Sequence, residues 1–306
     1  MTIAQTKPYQ KRKIIIFSDF DGTIFLQDTG HVLVDNLGCG AAYRQKLEEQ
    51  FKTGERTFRE ISDDMWGSLT IPFGDGFDIM EKTLELDPGF REFHQYCVAE
   101  GFPFNVISAG LKPVLQRTLD LFLGEEEASS IEIVANDLQS SSGGTPWKPV
   151  WRDNTDSGHD KGESVQKARA KAQSECEPDE MPLIIFIGDG VSDLAAAREA
   201  DVLFARRGLR LEEYCIEHGI PYTPFDNFSQ IKKEVEAISL EDQKKTGGVG
   251  KPVRYNPRAN MWRRISSKEA VPTLMAKATP SQDEKMTLWP DYFSQPKQPQ
   301  PETITE

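Results

Sequence analysis

Two pairs of aspartates are the residues of this sequence best suited to chemistry. Asp19 and Asp21 lie two residues apart in SDFDGT, and Asp189 and Asp193 lie four apart in GDGVSD. One carboxylate can attack an electrophile while another handles the proton of the leaving group. Four carboxylates in one place repel one another unless a cation lies among them, and such oxygen ligands favour Mg²⁺. Alone, each pair is also compatible with a structural Asp-Gly turn or an acidic helix N-terminus.

Two further residues are candidates for binding an anion. Ser108 follows the apolar segment FNVI and offers a hydroxyl next to backbone N–H groups at the start of a helical pattern. Lys161, in GHDKGES, begins another helical pattern and supplies a positive charge. Taken singly, a serine there is usually a helix cap and a lysine is usually a solvated surface charge. Their order along the chain is therefore what makes them candidates.

Short apolar segments precede these polar clusters and must position them. Residues 13–17 (KIIIF), 104–107 (FNVI) and 183–187 (LIIFI) are each followed by a turn and a helical pattern. Buried β-branched segments that alternate with helices predict an α/β fold with a Rossmann-like parallel sheet and helices on both faces. IEIVAN and VLFA are candidates for additional strands. Because ligands of such sheets bind beyond the carboxyl ends of the strands, the clusters should meet there.

The sequence between the first two strands has a different character. Residues 40–100 show helical periodicity, which predicts a helical cap inserted into the sheet domain and able to act as a lid. After residue 240 the chain is rich in proline and lacks a sustained period. We therefore predict an N-terminal arm (1–12), an α/β core (13–39 and 101–240), the cap (40–100) and a disordered tail (241–306).

The composition narrows the classes of function. A net charge of −13 and a pI near 4.9 argue against a nucleic-acid partner for the core, because such binding depends on basic residues. The four cysteines are scattered, without zinc-ligand spacing. We expect no signal peptide and no membrane span, since no apolar segment has the length of about 20 residues that a span requires. A cytoplasmic protein with reduced thiols is the expectation.

The order of the motifs is similar to that of one known family. DFDGT, a serine after a strand, a lysine and then GDGVSD resemble the motifs of the haloacid dehalogenase superfamily over roughly residues 13–230. The resemblance is to its phosphatases with a cap inserted between the first and second motifs. Dehalogenases of the superfamily lack the second aspartate of the first motif. The presence of Asp21 therefore favours phosphate chemistry.

The resemblance implies a role for each motif residue. Asp19 would be the nucleophile that forms an aspartyl-phosphate, and Asp21 the general acid and base. Asp21 must be protonated while the leaving group departs, so we expect its pKa to be raised relative to that of Asp19. The implied phosphate-binding residues are Thr23, Ser108, Ala109 and Lys161. The implied Mg²⁺ ligands are Asp19, the main-chain carbonyl of Asp21, Asp189 and Asp193, the last through water or by steadying the other ligands.

Substrate selectivity is assigned less sharply. The chain resembles the phosphoserine phosphatase-like group, which includes a phosphatase of a methylthiopentenyl phosphate. Phosphoserine phosphatases carry a glutamate nine residues after the nucleophile, where this chain has Asp28, so Asp28 is either a substrate contact or a solvated turn residue. Arg56, Arg59 and Trp66 of the cap, with Arg59 preferred, and His159 near the entrance are further candidates.

The predicted function is that of a Mg²⁺-dependent phosphomonoesterase acting on a small phosphorylated metabolite. This substrate is the one partner predicted for the core. A phosphomutase would use the same intermediate and stays open. A catalytically idle scaffold whose tail recruits a partner is a third possibility. The tail contains a basic and aromatic segment, KPVRYNPRANMWRRISSKE. Such a segment is compatible with binding to an acidic surface or to nucleic acid, or with a phosphorylation site, but we predict a solvated linker.

Overall fold

The computed structural model describes residues 13–139, 146–176 and 182–246. Its centre is a seven-stranded sheet with the order β5-β4-β3-β1-β6-β7-β8. All neighbouring strands are parallel except β4 and β5, which are antiparallel. The predicted parallel α/β sheet is confirmed. Its strands are β1 (Ile14–Ser18), β3 (Phe104–Leu111), β4 (Glu132–Gln139), β5 (Lys148–Val150), β6 (Leu183–Gly188), β7 (Val202–Arg206) and β8 (Thr223–Phe225).

Alternation along the central strands divides the core into two layers. Ile14 and Ile16 of β1 pack into one buried cluster, whereas Ile15 and Phe17 pack into another on the opposite face. Both faces are apolar because helices cover both, as a parallel sheet requires. The helices outside the inserted segment are α5 (Phe90–Glu100), α6 (Lys112–Leu123), α7 (Glu125–Ala128), α8 (Lys161–Ser174), α9 (Leu194–Glu199), α10 (Arg210–Glu217) and α11 (Phe228–Thr246).

A segment inserted after the first strand forms the cap. Phe25 and Leu86 form an isolated antiparallel bridge at its base, and the Asp87 N–H donates to the Ile24 carbonyl at 2.9 Å. Four helices and a short strand that does not join the sheet lie between these residues. They are α1 (Thr29–Leu37), α2 (Ala41–Lys52), α3 (Phe58–Gly67), β2 (Phe73–Gly76) and α4 (Phe77–Thr83).

The limits of this segment differ from the predicted cap of residues 40–100. Helix α5 falls inside that range, yet Phe90 packs edge-on against Phe104 of β3 and Phe228 of α11. Helix α1 falls outside the predicted range, although it lies in the inserted segment between the bridged residues Phe25 and Leu86. Periodicity shows that a segment is helical but not which domain the helix packs on. We therefore place the inserted segment between Phe25 and Leu86.

Residues 147–151, around strand β5, hold the cap. The Trp147 ring stacks on Trp66 of α3 at a centroid distance of 6.3 Å, and its indole N–H donates to the Ile71 carbonyl at 2.8 Å. The Trp151 indole N–H donates to the Asp63 carboxylate at 3.2 Å. These contacts fix helix α3 over the carboxyl ends of the strands.

Two predicted segments lie largely outside the described residues. These are the N-terminal arm and, from residue 247 onward, the tail; α11 continues to Thr246, within the range predicted as tail. Among the helices that the structure describes, none combines the length and the apolar character needed to cross a bilayer.

Candidate active site

The site begins where three neighbouring strands end. Strand β1 pairs with β3 on one side and with β6 on the other. Asp19 follows β1 directly, and its N–H donates to the Ile187 carbonyl of β6 at 2.9 Å. Asp189 follows β6, and Ser108 lies in β3. The sheet therefore brings together the motifs that the sequence separates by more than 150 residues.

Lys161 is the buried cation of the site. Its Nζ lies 3.0 Å from Oδ1 of Asp19 and 2.8 Å from Oδ1 of Asp193, and its side chain is only 2% exposed. Burial opposes the charge of Lys161, but the carboxylates of Asp19 and Asp193 raise its pKa above the ordinary value. The first turn of α8 thus holds a lysine that stays charged at neutral pH.

Asp193 supports the site from behind. Its Oδ2 accepts hydrogen bonds from the N–H groups of Asp189 (3.0 Å) and Gly190 (3.1 Å), and its Oδ1 accepts from Lys161. The residue is fully buried and is not among those that line the cavity. These bonds occupy both of its oxygens. Of the two roles predicted for Asp193, they favour steadying the other residues.

Asp189 is held by the loop after β1. The Thr23 hydroxyl donates to Oδ1 of Asp189 at 2.7 Å. Gly22 has a φ of +77°, and a Cβ there would lie 2.5 Å from Oδ2 of Asp189, so only glycine fits. Thr23 does not line the cavity. The Thr23 hydroxyl therefore contacts a carboxylate, whereas the sequence predicts that Thr23 contacts phosphate.

Three carboxylates of this cluster could hold a metal ion. Asp19, Asp189 and Asp193 each offer an oxygen, and these oxygens lie within 4.8 Å of one another. Burial, with the negative charge of Asp193 next, raises the pKa of Asp189 to about 7. One lysine cannot neutralise three neighbouring carboxylates, two of them buried and one half-buried, whereas a divalent cation with hard oxygen ligands can. The donor set therefore fits Mg²⁺.

Asp21 and Asp19 both have raised pKa values, mainly because both are buried. Burial and then the charge of Asp28 raise the pKa of Asp21 to about 8, although the Thr29 N–H donates to its Oδ1 at 2.7 Å. Burial and then the charge of Asp193 raise the pKa of Asp19 well above the usual range, against the effect of Lys161. A protonated Asp21 at neutral pH suits a general acid. Asp19 also lies among other carboxylates, and a cation bound there would favour its ionised form.

A bulge in β3 shapes the loop that carries Ser108. The pairing register between β3 and β4 shifts between Ile107 and Leu111, and the Ser108 Oγ accepts from the Gly110 N–H at 2.9 Å. Asn136 on β4 donates to the Ala109 carbonyl at 2.8 Å. Bulges of this kind re-aim side chains at the rim of a sheet. Here Ser108 and Ala109 line the cavity, as their predicted role requires.

His159 braces this bulge. Its Nδ1 lies 2.8 Å from the Ser108 carbonyl and its Nε2 lies 3.0 Å from the Ser164 hydroxyl. Because a carbonyl only accepts, Nδ1 carries the proton and Nε2 accepts from the serine. Burial lowers the pKa of His159 to about 4, so the ring is neutral. His159 supports the loop and does not line the cavity.

The cavity has a volume of about 260 Å³ and lies between the sheet and the cap. We call its two sides the sheet wall and the cap wall. The cap wall consists of residues from α3 and from the start of α1. The sheet wall comprises Asp19, Asp21, Ser108, Ala109, Gly110, Lys161, Asp189, Gly190 and Ser192; the cap wall comprises Asp28, Thr29, Gly30, His31, Phe58, Ser62, Met65 and Trp66.

The candidates for selectivity divide between the cavity and the surface. Asp28 lines the cavity and also caps α1, since its Oδ1 accepts from the His31 N–H at 2.8 Å. Trp66 lines it too. Arg59 lies away from it, with its guanidinium 5.7 Å from the centroid of Trp151. Arg56 instead forms an ion pair with Asp64 at 2.7 Å.

Sequence reasoning missed several residues of the site, and three of them show why. Thr29 holds Asp21 through its backbone N–H, a group that every residue but proline has, so no side chain signals it. Ser192 lies inside the GDGVSD motif and lines the cavity, so its position in the motif could have identified it. Ser62 carries a weak signal, since it interrupts the apolar face of α3.

Three comparisons with known proteins agree with this geometry. A family model for haloacid dehalogenase-like hydrolases matches residues 16–198. Pdp3-interacting factor 1 of Schizosaccharomyces pombe is 35% identical, over 75% of this chain and 97% of its own length. Polyol phosphate phosphatase PYP1 of Saccharomyces cerevisiae is 36% identical, over 74% of this chain and 94% of its own. A solved phosphoserine phosphatase from T. onnurineus shares the fold, with a TM-score of 0.51, 19% identity and coverage of 76% and 98%.

Proposed function

We propose, on the premise that this chain belongs to the haloacid dehalogenase-like hydrolases, that it hydrolyses the phosphate ester of a small metabolite through a covalent intermediate on Asp19. The family membership predicted from the motifs is confirmed, and the fold and the relative named as a phosphatase support the assignment as a phosphatase. The covalent intermediate and the dependence on Mg²⁺ are the proposed part.

In the first step, an Asp19 oxygen attacks the phosphorus atom and the bond from phosphorus to the leaving oxygen breaks. Asp21, which is protonated at neutral pH because its pKa lies near 8, gives its proton to that oxygen, so the leaving group departs as a neutral alcohol. Lys161 lies 3.0 Å from Asp19 and balances charge that gathers on the transferred phosphoryl group.

In the second step, the Asp21 carboxylate takes a proton from water and the water oxygen attacks phosphorus. The bond between the Asp19 oxygen and phosphorus breaks, which releases inorganic phosphate and regenerates the carboxylate. Asp21 thereby returns to its protonated form. Ser108 and the N–H groups of the β3 bulge lie in the wall where the phosphoryl group must be held.

Asp19 and Asp189 would hold Mg²⁺, with the main-chain carbonyl of Asp21 as a further predicted ligand and Asp193 steadying them. The ion would screen the negative phosphate from the negative nucleophile. Lys161 contacts both Asp19 and Asp193, so it adds a second positive charge beside Asp19 and the only close one beside Asp193 among the described residues.

The observation that carries the proposal is the arrangement around Asp19. A buried carboxylate lies 3.0 Å from a buried lysine, and a second carboxyl group with a pKa of about 8 follows it by two residues. A nucleophile, its counter-charge and a proton donor are the groups that transfer of a phosphoryl group to a carboxylate requires. The cavity of about 260 Å³ suits a small leaving group, and the polyol phosphate phosphatase relative suggests a polyol phosphate.

The test compares wild type with Asp19→Asn on a panel of metabolite phosphates, with Mg²⁺ and with EDTA. Wild type should release phosphate only with the metal, and Asp19→Asn should lose activity by at least about 10³-fold because the amide is a poor nucleophile. Brief reaction with radiolabelled phosphate ester, followed by acid quenching, should label wild type and not Asp19→Asn. Equal rates, or turnover in EDTA, contradict the mechanism. An isomerised sugar phosphate in place of free phosphate would instead identify a mutase.

A further inference from the structure

Helix α3 presents a mixed surface to the cavity. Phe58, Ser62, Met65 and Trp66 all line it, and their spacing places them on one face of the helix. Three of the four are large and apolar. Ser62 occupies a position where the same pattern would place another apolar side chain. The hydroxyl is therefore a polar exception in an apolar surface.

Ser62 is buried and its hydroxyl has no hydrogen-bond partner among the described residues. The residue is 3% exposed, and that small exposure is toward the cavity. Two other helical hydroxyls bond instead to a carbonyl of the preceding turn, Thr118 to Val114 at 2.9 Å and Ser174 to Lys171 at 2.7 Å. The Ser62 hydroxyl opens on the cavity, so its hydrogen-bond partner must come from what the cavity holds. A ligand in the cavity would provide the partner that the fold does not.

The charges of the cavity limit what that ligand can be. Lys161 is the only lysine or arginine among its described lining residues, and it lies in the sheet wall with Asp19. On the cap wall, Asp28 is acidic and His31 is engaged by Glu48 at 3.0 Å. A leaving group with a carboxylate would meet no free cation there. A neutral, hydroxylated leaving group meets hydrogen-bonding groups instead.

We propose that the Ser62 Oγ forms a hydrogen bond with a hydroxyl group of the leaving group and so selects phosphorylated polyhydroxy compounds over simple alkyl phosphates. The inference rests on the proposed phosphatase activity. A hydroxyl can both donate and accept, so Ser62 can pair with a substrate hydroxyl in either sense. The surrounding Phe58, Met65 and Trp66 exclude water from this bond and contact the carbon chain.

The test pairs substrates that differ only in their hydroxyl groups. Glycerol phosphate is compared with propyl phosphate, and erythritol phosphate with butyl phosphate, by kcat/KM for wild type and Ser62→Ala. The substitution should lower kcat/KM for a polyol phosphate by about 5- to 10-fold, the size of one hydrogen bond, and change it less than about 2-fold for the matching alkyl phosphate. Ser174→Ala, which removes an exposed hydroxyl from α8, should change none of the four.

A binding measurement separates this inference from the proposed function. Calorimetric titration of Asp19→Asn with the same four compounds, with and without Ser62→Ala, needs no turnover and should show the same 5- to 10-fold selective loss, roughly one hydrogen bond. An equal loss for polyol and alkyl phosphates, or no loss, overturns the role of Ser62 even if wild type is an active phosphatase. Selective binding without phosphate release would instead overturn the phosphatase and leave the role of Ser62 intact.

Discussion

The two walls of the cavity are built on different physical principles. In the sheet wall, Lys161 bonds to two carboxylates, and Asp189 is fixed by the hydroxyl of Thr23. In the cap wall, Trp66 is placed by stacking on Trp147, and the Ser62 hydroxyl has no hydrogen bond among the described residues. Charges must be held at fixed positions to act on a transferred phosphoryl group. A leaving group needs mainly a surface of the right shape, which can change while the chemistry stays.

The strongest test of the sheet wall is Asp21→Asn. We expect kcat for an alkyl phosphate to fall by about 10²- to 10⁴-fold, because the amide cannot transfer a proton to the leaving oxygen. With p-nitrophenyl phosphate, whose leaving group departs without a proton, the first step should survive. Stopped-flow absorbance should then show a burst of about one nitrophenolate per active site before slow turnover. A fall of the same size for both substrates with no burst would contradict the assigned role.

Substitution of Lys161 should have a slightly smaller effect that is uniform across substrates. Lys161→Met leaves the carboxylates of Asp19 and Asp193 without their shared counter-charge, and kcat/KM should fall by about 10²- to 10³-fold. The fall should be alike for every substrate because all share the phosphoryl group. Lys167→Met removes an exposed lysine from the same helix and should have no effect. A fall in kcat/KM that varied with the leaving group would contradict the separation of roles between the two walls.

The sheet wall was largely predictable from the sequence. The segments KIIIF and LIIFI are buried on both faces, so they can only be central strands, and the turns after them bring Asp19 and Asp189 together. Lys161 was assigned to the site from the order of the motifs along the chain. Thr23 was assigned to phosphate because its position in the motif says nothing about the direction of its hydroxyl, which the fold turns to Asp189.

The cap wall was not predictable to the same degree. Helix α3 was expected as a helix, but which of its faces meets the cavity depends on Trp147, a residue distant in sequence. Arg59 was preferred for its charge, yet its guanidinium lies over Trp151, next to strand β5. Helix α5 has the same kind of periodicity as the cap helices and packs on the sheet. Long-range packing decides these positions, and local pattern does not report it.

The support behind the sheet wall should appear in the pH dependence of stability. His159 is neutral in the folded chain down to about pH 4, whereas an unfolded histidine takes up a proton near pH 6.5. Between these values only the unfolded state binds the proton, so the free energy of unfolding should fall as pH decreases from 6.5 and stop falling from this source below about 4. The loss should total about 3 kcal/mol.

The check on this prediction is urea unfolding of wild type and His159→Gln between pH 4 and 7.5. The difference in free energy of unfolding between the two proteins should shrink as the pH falls, since glutamine has no proton to take up. At pH 7.5 the variant should be the less stable, because its side chain cannot reproduce both the bond to the Ser108 carbonyl and the bond to Ser164. A pH-independent difference would show that His159 is not held neutral.

The cap wall should yield the smallest effect, and a selective one. Phe58→Ala enlarges the cavity on the side of the leaving group, so the ratio of kcat/KM for a five-carbon over a three-carbon polyol phosphate should rise by about 10-fold, the low end for the loss of fit in an apolar pocket.

The Phe51 ring packs edge-on against Phe58 at 5.9 Å but does not line the cavity, so Phe51→Ala should weaken the same helices without raising that ratio. The acid-quenched phosphorylation of Asp19 and the need for metal should be unchanged in both variants, because neither side chain is part of the charged cluster. If Phe58→Ala instead lowered turnover of every substrate equally, the cap would be acting on the chemistry itself, and the two walls would not be separable.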